Sequence, residues 1–475
     1  MEHITYNKTK IVATIGPASN SKEMLRALAK EGVDVFRLNF SHGSHADHQK
    51  VIDFVREING ELGTHIALLQ DLQGPKIRVN EMQPGIEIKA GDAITITTNE
   101  VLGNQELVST SYEGLPKDVK VGDMILIDDG KIELKVKEVR ATEVMCTVVY
   151  GGPLKSRKGI NLPYSKVSAP SLTDKDYEDL EFGLKNKVDW VALSFVRKAT
   201  DIEILRAVID RFKSNTRIIA KIEKPEALEN IDSIIEATDA IMVARGDLGV
   251  EIWMEEVPMV QKMLVEKCNE ASKPVIVATQ MMESMIENPR PTRAETNDVA
   301  NAVLDGADAL MLSAETAAGK YPIEVIRSMV RTIGSVEKAG NIFYKFRHID
   351  PKSPNYFNDS LILTACKLAQ EVKAKAIVGM TQLGYVAFKA SSHRPDANIF
   401  AFTSNDAILN TMNLVWATKA YHYDKAASTD ETIADVEKIL KRDGHVTTGD
   451  IFIMLASMPI QDRGRSNMIK VHMVS

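Results

Sequence analysis

The chain has 475 residues, of which 44% are hydrophobic and 26% are charged, with a net charge of −7 and three cysteines. This length exceeds what one hydrophobic core normally serves, so two or three domains are expected. The acidic balance excludes a basic surface for nucleic acid or anionic lipid, and three scattered cysteines exclude a disulfide framework or a zinc site. The sequence has no apolar run of membrane-spanning length and no signal-like N-terminal segment, so we expect a cytoplasmic protein without nucleic-acid or membrane partners.

Short apolar runs alternate with helical patterns along most of the chain. The first three runs are KIVATIG (10–16), VFRLNFS (35–41) and IALLQDL (66–72), and the first helix is predicted to begin near Asn20 or Ser21 and to end at Gly32. Five more runs follow later: DWVALSF (189–195), RIIAKIE (217–223), AIMVAR (240–245), PVIVATQ (274–280) and ALMLS (309–313). Such runs are typical of parallel strands buried on both faces, and eight βα units favour a (β/α)8 barrel. An open doubly wound sheet has the same periodicity and stays possible at this point.

Two other regions have a different character. Residues 77–165 alternate apolar and polar positions, and Asp129-Gly130 marks a hairpin turn, so we predict a small inserted β domain able to act as a lid. Residues 340–475 begin with a linker rich in Pro, Asn and Asp and continue as an α/β pattern with a helix around 358–372. The predicted division is therefore a barrel of residues 1–76 and 166–339, the inserted β domain 77–165, and a C-terminal α/β domain 340–475.

Polar side chains follow nearly every predicted barrel strand, at the end where barrel enzymes place their chemistry. These residues are Arg37, Asn39, Ser41, Asp71, Ser194, Lys221, Glu223, Arg245, Asp247, Thr279, Gln280, Ser313 and Glu315. Lys221 and Glu223 lie two positions apart on one strand, so their side chains should share a face. A salt-bridge network could explain any single strand end, but so many together indicate a functional site.

The residue types suggest the chemistry of that site. Glu223 and Asp247 offer hard oxygen ligands without His or Cys, which favours Mg²⁺ or Mn²⁺. Arg37, Lys221 and Arg245 are cations suited to phosphate. A carboxylate-held metal with convergent cations suits phosphoryl transfer, but enolate chemistry needs much the same groups, and these arguments alone do not separate the two.

A series of long motifs resembles the pyruvate kinase family from about residue 8 to the end of the chain. The motifs are RLNFSHG (37–43), GPKIRV (74–79), KGINLP (158–163), AKIEKPEA (220–227), MVARGDLGVE (242–251), TQMMESMIENPRPTRAE (279–295) and VANAVLDGADALMLSAETAAGKYP (299–322). The resemblance implies a TIM barrel with an inserted small β-barrel domain and a C-terminal α/β domain. It also implies a glycolytic kinase that transfers the phosphoryl group of phosphoenolpyruvate to ADP, giving pyruvate and ATP.

The family resemblance also implies a role for individual residues. Glu223 and Asp247 would bind Mg²⁺, Lys221 would lie on the transferring phosphoryl group, and a second Mg²⁺ would arrive with ADP. The substrate would be bound by Arg37, Ser194, Gly246, Asp247 and Thr279, with Thr279 near the carbon that is protonated. Arg78, Lys158 and His42 would lie on the nucleotide side, whereas the spacing of His42, His45 and His48 does not suit a metal site.

The sequence departs from the better-known family pattern in the region of the monovalent cation. Many members hold K⁺ at the positions of Asn39, Ser41, Asp71 and the backbone carbonyl of Leu72. Those members carry Glu where this chain has Lys76, and the segment LQGPKIRV (72–79) resembles the branch that works without K⁺. Because the Lys76 ammonium could supply the charge of K⁺, we expect K⁺-independent activity.

The sequence also bears on the effector site and on the oligomeric state. The loop Thr381–Tyr385 lacks most hydroxyls of the fructose 1,6-bisphosphate site, so activation by that sugar phosphate is doubtful, and Arg463, Arg465 and Lys470 form a basic cluster without an assigned ligand. By family analogy we expect a homotetramer.

Two other functions compete with that of a kinase. A metal-dependent lyase acting on pyruvate would explain Glu223 and Asp247 but not the inserted domain. A binding protein that has lost catalysis would not retain the full set of site residues.

Overall fold

The computed structural model describes residues 6–163, 165–425, 428–458 and 465–475. Arg463, one member of the basic cluster expected near the C-terminus, lies outside the described residues. Among the helices in the described ranges, none is both long and apolar enough to cross a membrane.

The first part of the chain alternates strands and helices as the sequence predicts. Its elements are β1 (Lys10–Ile15), α1 (Lys22–Glu31), β2 (Val35–Asn39), α2 (His45–Leu62) and β3 (Ala67–Asp71). The Ser21 hydroxyl accepts a hydrogen bond from the Met24 N–H, and Gly32 ends α1 with a φ of 111°. A capping serine followed by a left-handed glycine explains both boundaries of this helix.

The inserted region is a curled antiparallel sheet with one short helix. Its elements are β4 (Glu87–Ile88), β5 (Ala93–Thr97), β6 (Leu107–Ser109), α3 (Leu115–Asp118), β7 (Met124–Ile127), β8 (Ile132–Val139), β9 (Glu143–Tyr150), β10 (Gly152–Pro153) and β11 (Ile160–Asn161). Six of these strands pair in the order β11-β7-β8-β9-β5-β6, with β5 and β6 parallel. Isolated bridges join Arg78 to Gly159 beside β11 and Val79 to Thr110 beside β6. One segment thus bridges both edges, so the sheet curls into a small barrel.

The chain then returns to the alternating pattern. The elements are α4 (Asp174–Lys185), β12 (Trp190–Leu193), α5 (Ala199–Arg211), β13 (Arg217–Ile222), α6 (Pro225–Glu229), α7 (Ile231–Ala237), β14 (Ala240–Ala244), α8 (Arg245–Glu251), α9 (Val257–Glu270), β15 (Val275–Ala278), α10 (Arg293–Asp305), β16 (Ala309–Leu312), α11 (Ala314–Ala317) and α12 (Pro322–Ala339). Short 3-10 helices cover Met254–Glu256 and Glu283–Ile286.

The eight parallel strands close into a barrel in the order β1-β16-β15-β14-β13-β12-β3-β2. This closure decides between the two architectures that periodicity left open, in favour of the (β/α)8 barrel. The barrel interior is filled by buried side chains that include Val12, Trp190 and Met311, and Leu414 joins the same cluster from a distant 3-10 helix (Thr411–Leu414). The barrel is therefore a packed core, and chemistry is confined to its ends.

The C-terminal region is a separate α/β layer. Its elements are α13 (Tyr356–Glu371), β17 (Ala376–Met380), α14 (Tyr385–Ser392), β18 (Asn398–Thr403), α15 (Asp406–Leu409), β19 (Thr418–His422), α16 (Thr429–Arg442), β20 (Ile451–Ala456) and β21 (Met468–Met473). The strand order is β19-β18-β17-β20-β21, with β21 antiparallel to β20. Buried Arg394 ties this layer to the barrel, since its guanidinium reaches Asp308 at 3.2 Å and Asn269 Oδ1 at 2.6 Å.

Candidate functional site

A buried group of charged residues lies where β2, β3, β12 and β13 end. We call Arg37, Asp71, Ser194, Lys221 and Glu223 the strand-end cluster. Lys221 is its centre: the ammonium lies 3.0 Å from Glu223 Oε1 and 3.3 Å from Asp71 Oδ1, and it donates to the Ser194 hydroxyl at 2.8 Å. Burial alone would lower the pKa of Lys221, but the Asp71 and Glu223 carboxylates outweigh burial and raise this pKa above its usual range. The cluster therefore holds a permanent ammonium in a fixed position.

Arg37 is held in the same cluster by the other oxygen of Asp71. Its Nε donates to Asp71 Oδ2 at 2.7 Å, and its Nη1 donates to the Thr14 hydroxyl at 2.9 Å. Although burial of Asp71 raises its pKa, the Lys221 and Arg37 cations outweigh burial and the pKa of Asp71 is lowered. One buried carboxylate thus fixes two cations side by side, which is an arrangement suited to a phosphoryl group.

Glu223 and Asp247 lie on neighbouring strand ends, as the sequence places them. Glu223 is almost fully buried, and its Oε2 accepts a hydrogen bond from the Phe195 N–H at 2.7 Å. Burial raises the pKa of Glu223 against the opposing Lys221 ammonium, and the negative charge of Asp247 adds to the rise. In the part of the chain that the structure describes, no group of three or more His, Cys, Asp or Glu could hold a metal ion. Two carboxylates in electrostatic contact are a donor set that fits Mg²⁺, which is usually held by one or two carboxylates with waters and ligand oxygens.

Gly246 and Thr279 meet at the start of α8. The Thr279 hydroxyl accepts a hydrogen bond from the Gly246 N–H at 2.8 Å, and a Cβ on Gly246 would lie 3.4 Å from that hydroxyl oxygen. Thr279 itself has a φ of 70°, a left-handed conformation that is costly for a β-branched residue. Backbone strain of this kind is concentrated at functional sites.

Arg245 does not join the cations of the strand-end cluster. Its guanidinium forms a bidentate pair with Asp298 of α10, with both distances at 2.7 Å, and its Nη2 also donates to the Thr279 carbonyl at 2.8 Å. Arg245 therefore fixes the backbone next to Thr279, and the expectation that it faces a phosphate is wrong in this structure. The sequence could not show this pairing, because 53 residues separate the two partners.

A cleft opens between the barrel and the base of the inserted β domain. We call it the hinge cleft, and it is lined by Pro75, Lys76, Ile77, Ile160, Asn161, Val167, Phe195, Arg197, Lys224 and Asp247. Lys76 is exposed, and its side chain passes close to Gly159. Arg78 is half-buried beside the same glycine, the Lys158 ammonium lies 2.8 Å from Asp128 Oδ1, and His42 is exposed on the loop before α2. The structure thus brings Arg78 and Lys158 together at the hinge, while His42 belongs to a different loop.

Three of the four groups expected around a monovalent cation, those of Asn39, Asp71 and Leu72, already have protein partners. Asn39 Oδ1 accepts a hydrogen bond from the Ser41 N–H at 3.1 Å, and the Leu72 carbonyl accepts one from the Ser194 hydroxyl at 2.8 Å. Asp71 pairs with the two cations of the strand-end cluster. Lys76 lines the hinge cleft and not this buried region.

Sequence analysis did not single out Lys224, Glu251 or Asn161, which meet at the wall of the hinge cleft. The Lys224 ammonium lies 2.5 Å from Glu251 Oε1, and the Asn161 side-chain amide donates to the same oxygen at 2.8 Å. Glu251 is 1% exposed. The sequence could have indicated two of these residues, since Lys224 directly follows Glu223 and Glu251 lies one helical turn after Asp247.

Comparisons with known proteins agree with this geometry. The family model "Pyruvate kinase, barrel domain" matches residues 6–326, and "Pyruvate kinase, alpha/beta domain" matches residues 359–472. A pyruvate kinase of Mycobacterium intracellulare is 45% identical over 466 residues, covering 98% of each chain. A pyruvate kinase of Staphylococcus aureus is 44% identical over 474 residues, covering 98% of this chain and 80% of the relative.

A solved structure gives the same result at the level of the fold. The crystal structure of a pyruvate kinase from Cryptosporidium parvum superposes with a TM-score of 0.92 at 36% identity, covering 99% of this chain and 96% of the other. Two family models that span most of the sequence, together with near full-length relatives, leave no need for the lyase or the non-catalytic alternative. The chain belongs to the pyruvate kinase family.

Proposed function

We propose that this pyruvate kinase transfers the phosphoryl group of phosphoenolpyruvate to ADP at the strand-end cluster, giving pyruvate and ATP. The observation that carries the proposal is the Lys221 ammonium, held by Asp71, Glu223 and Ser194 while only 12% of its side chain is exposed. Phosphoryl transfer needs positioned positive charge more than covalent participation of the protein. A preorganised ammonium in a buried site meets that need.

Lys221 and Arg37 divide the work on the phosphoryl group. Lys221 stabilises the charge that develops on the transferring group, because its own partners prevent it from reorienting during the reaction. Arg37 binds the phosphate before transfer. Its Nε and Nη1 donate to Asp71 and Thr14, and the remaining N–H groups of the guanidinium can donate to substrate. Ser194 orients the Lys221 ammonium and lies at the edge of the substrate site.

Glu223 and Asp247 would hold the divalent cation, Mg²⁺ or Mn²⁺. Pyruvate kinases generally need Mg²⁺, and the two carboxylates present here are the donor set this ion accepts. The metal would neutralise charge on the carboxylate and enol oxygens of the substrate. A second Mg²⁺ would enter with ADP.

Gly246 and Thr279 would bind the carboxylate end of the substrate. The Gly246 position lacks a side chain next to the Thr279 hydroxyl, which leaves room for a small anion to approach the backbone. The Thr279 hydroxyl lies at this end of the site and would serve the carbon that is protonated when the enol becomes pyruvate. The hydroxyl is held in place because it accepts from the Gly246 N–H and donates to the Ala278 carbonyl at 2.6 Å.

The nucleotide would bind on the side of the inserted domain. Arg78 and Lys158 lie at the hinge, and Lys158 forms a partly exposed ion pair with Asp128. A nucleotide phosphate can replace Asp128 as the partner of Lys158 when the domain closes. His42 would contact the nucleotide from the barrel side, in a supporting role.

We further propose that the activity does not require K⁺, although the family usually needs it. The support is that Asn39, Asp71 and the Leu72 carbonyl offer groups that protein partners already occupy. Lys76 would supply positive charge from the hinge cleft, where it lies on the same lining as Asp247. The charge that K⁺ would bring is therefore provided by the chain itself.

We also propose a division of the chain, an assembly and a cellular compartment. The barrel would comprise 1–76 and 166–339, the lid 77–165 and the C-terminal domain 340–475. Exposed Trp253, Met254 and Met259 form an apolar surface on the barrel, and β21 is an edge strand, so a homotetramer would cover two surfaces that are costly in water. We place the enzyme in the cytoplasm.

The test of the proposed function is a coupled assay. Pyruvate released from phosphoenolpyruvate and ADP with Mg²⁺ is followed with lactate dehydrogenase, once with K⁺ and once with tetramethylammonium at the same ionic strength. Equal turnover in both salts is expected. Turnover only with K⁺ would contradict the role of Lys76 and keep the enzyme assignment, while no turnover in either salt by folded protein would contradict the kinase itself.

A further inference from the structure

The Lys224–Glu251 ion pair is formed by chain neighbours of the two carboxylates assigned to the metal. Lys224 follows Glu223 in the sequence, and Glu251 follows Asp247 by four residues on α8. Residues four apart on a helix are neighbours on one face. The two carboxylates that Lys224 could pair with, Glu251 and Asp247, are therefore separated by one helical turn.

The geometry makes Lys224 a potential competitor of the metal. Lys224 and Asp247 both line the hinge cleft, and Lys224 is held by Glu251 Oε1 at 2.5 Å. An ammonium on a flexible four-carbon stem would pair with Asp247 if Glu251 did not hold it. Such a pair would occupy a metal ligand and place a positive charge where a divalent cation must bind.

Glu251 is built to hold this ammonium. It is 1% exposed, so its charge is poorly solvated and needs a close cationic partner. Its Oε2 has no hydrogen-bond partner among the described residues, while Oε1 accepts from both Lys224 and Asn161. Both donors thus converge on one oxygen, and Asn161 belongs to β11 at the base of the inserted domain.

We propose that Glu251 is a positioning residue that sequesters the Lys224 ammonium away from Asp247 and so keeps the divalent-cation site free. This inference rests on the proposed assignment of Glu223 and Asp247 as metal ligands. Asn161 strengthens the hold on Glu251 and links it to the position of the inserted domain. The role proposed for Glu251 and Lys224 is to position charge and not to take part in the transfer itself.

The test is direct Mn²⁺ binding without substrate, measured from the electron paramagnetic resonance signal of free Mn²⁺. Glu251→Gln keeps the shape of the side chain and releases Lys224, and we expect about tenfold weaker Mn²⁺ binding. The double variant Lys224→Met/Glu251→Gln removes the competing ammonium, and we expect binding within about threefold of the parent. A purely structural role of Glu251 would not be rescued by the second substitution.

Controls separate this inference from the metal assignment. Asp34→Asn breaks a largely buried ion pair with Lys10 on β1 and should leave Mn²⁺ binding unchanged. Glu223→Gln should abolish tight binding; if it does not, the metal assignment and this inference both fail. Glu251→Met serves as a second variant if Glu251→Gln does not fold. Loss of binding in Glu223→Gln with unchanged binding in Glu251→Gln, or a double variant as weak as the single one, would overturn the inference alone.

Discussion

The strand-end cluster and the hinge cleft both hold cations that we propose act on substrate, but they hold them differently. In the cluster, Lys221 and Arg37 are buried and each contacts at least two protein partners. At the hinge, Lys76 is exposed and Lys158 has a partly exposed ion pair with Asp128. Buried charges with several partners cannot reorient at low cost, whereas exposed ones can exchange partners. In the proposed function, this difference assigns the chemistry to the preorganised barrel residues and nucleotide binding to the exchangeable cations of the hinge.

The largest expected effect comes from removing one metal ligand of the cluster. Glu223→Gln keeps the shape and the acceptor for the Phe195 N–H but loses the charge that would hold Mg²⁺. We expect kcat/KM for phosphoenolpyruvate to fall about 10³-fold in the coupled assay. Glu226→Gln, a carboxylate of the adjacent helix α6, is the matched control and should stay near the parent. A Glu223 variant with near-parental activity would break the distinction between the two regions.

Asp71→Asn tests whether one carboxylate organises both cations. The substitution leaves Lys221 and Arg37 without the charge that orients them, so we expect kcat to fall about 10²-fold. The melting temperature should also fall, because two buried cations lose a partner. Differential scanning calorimetry beside the activity assay checks both effects, with Asp305→Asn on α10 as a control carboxylate. Unchanged kcat would show that Asp71 serves packing alone.

Asp189, immediately before β12 at the opposite end of the barrel, offers a carboxyl without a contacting cation in the described chain. Burial raises its pKa to about 7. The folded state therefore binds more protons than the unfolded state between about pH 4 and pH 7, and the free energy of unfolding should fall as pH rises through that window. We expect Asp189→Asn to remove about 1–3 kcal/mol of this pH dependence, measured by urea unfolding at several pH values. Parallel pH profiles for parent and variant would contradict the shift.

The smallest effect should come from the hinge cleft. Lys76→Glu replaces the exposed ammonium with the residue that the family resemblance implies for K⁺-dependent members, and we expect turnover to become about fivefold faster with K⁺ than with tetramethylammonium. The parent should show a ratio near one. Lys76→Ala, which removes the charge without adding a carboxylate, is the companion variant. A ratio that stays near one in the Glu variant would remove Lys76 from the account of K⁺ independence.

Much of this architecture could be predicted from local sequence. The eight apolar runs, the serine cap and glycine end of α1, and the shared face of Lys221 and Glu223 all follow from periodicity and side-chain direction. Barrel closure could not be predicted from periodicity alone, because pairing of β1 with β16 joins residues about 300 apart. Strand β19 carries little sequence signal, because its sequence, TKAYH, is short and only partly apolar.

For single site residues, too, the sequence predicted the position along the chain better than the contacts of the side chain. Residue type and strand position predicted that Lys221 and Glu223 share a face, but not that Asp71 and Ser194 complete the contacts of Lys221. Arg245 carries the same charge as Arg37, yet its pairing with Asp298 depends on how α10 packs against the barrel. The orientation of a long cationic side chain is decided by contacts with residues distant in sequence, and these contacts form only in the folded chain.

The most direct test of the account compares one cation from each region by full initial-rate analysis in phosphoenolpyruvate and ADP. Lys221→Met should lower kcat about 10³-fold with little change in the KM for ADP, because a preorganised charge acts in the transition state. Lys158→Ala should raise the KM for ADP about tenfold and leave kcat within about threefold, because it removes binding made before transfer. The reverse pattern, with kcat lost in Lys158→Ala and retained in Lys221→Met, would contradict the assignment of chemistry to the strand-end cluster.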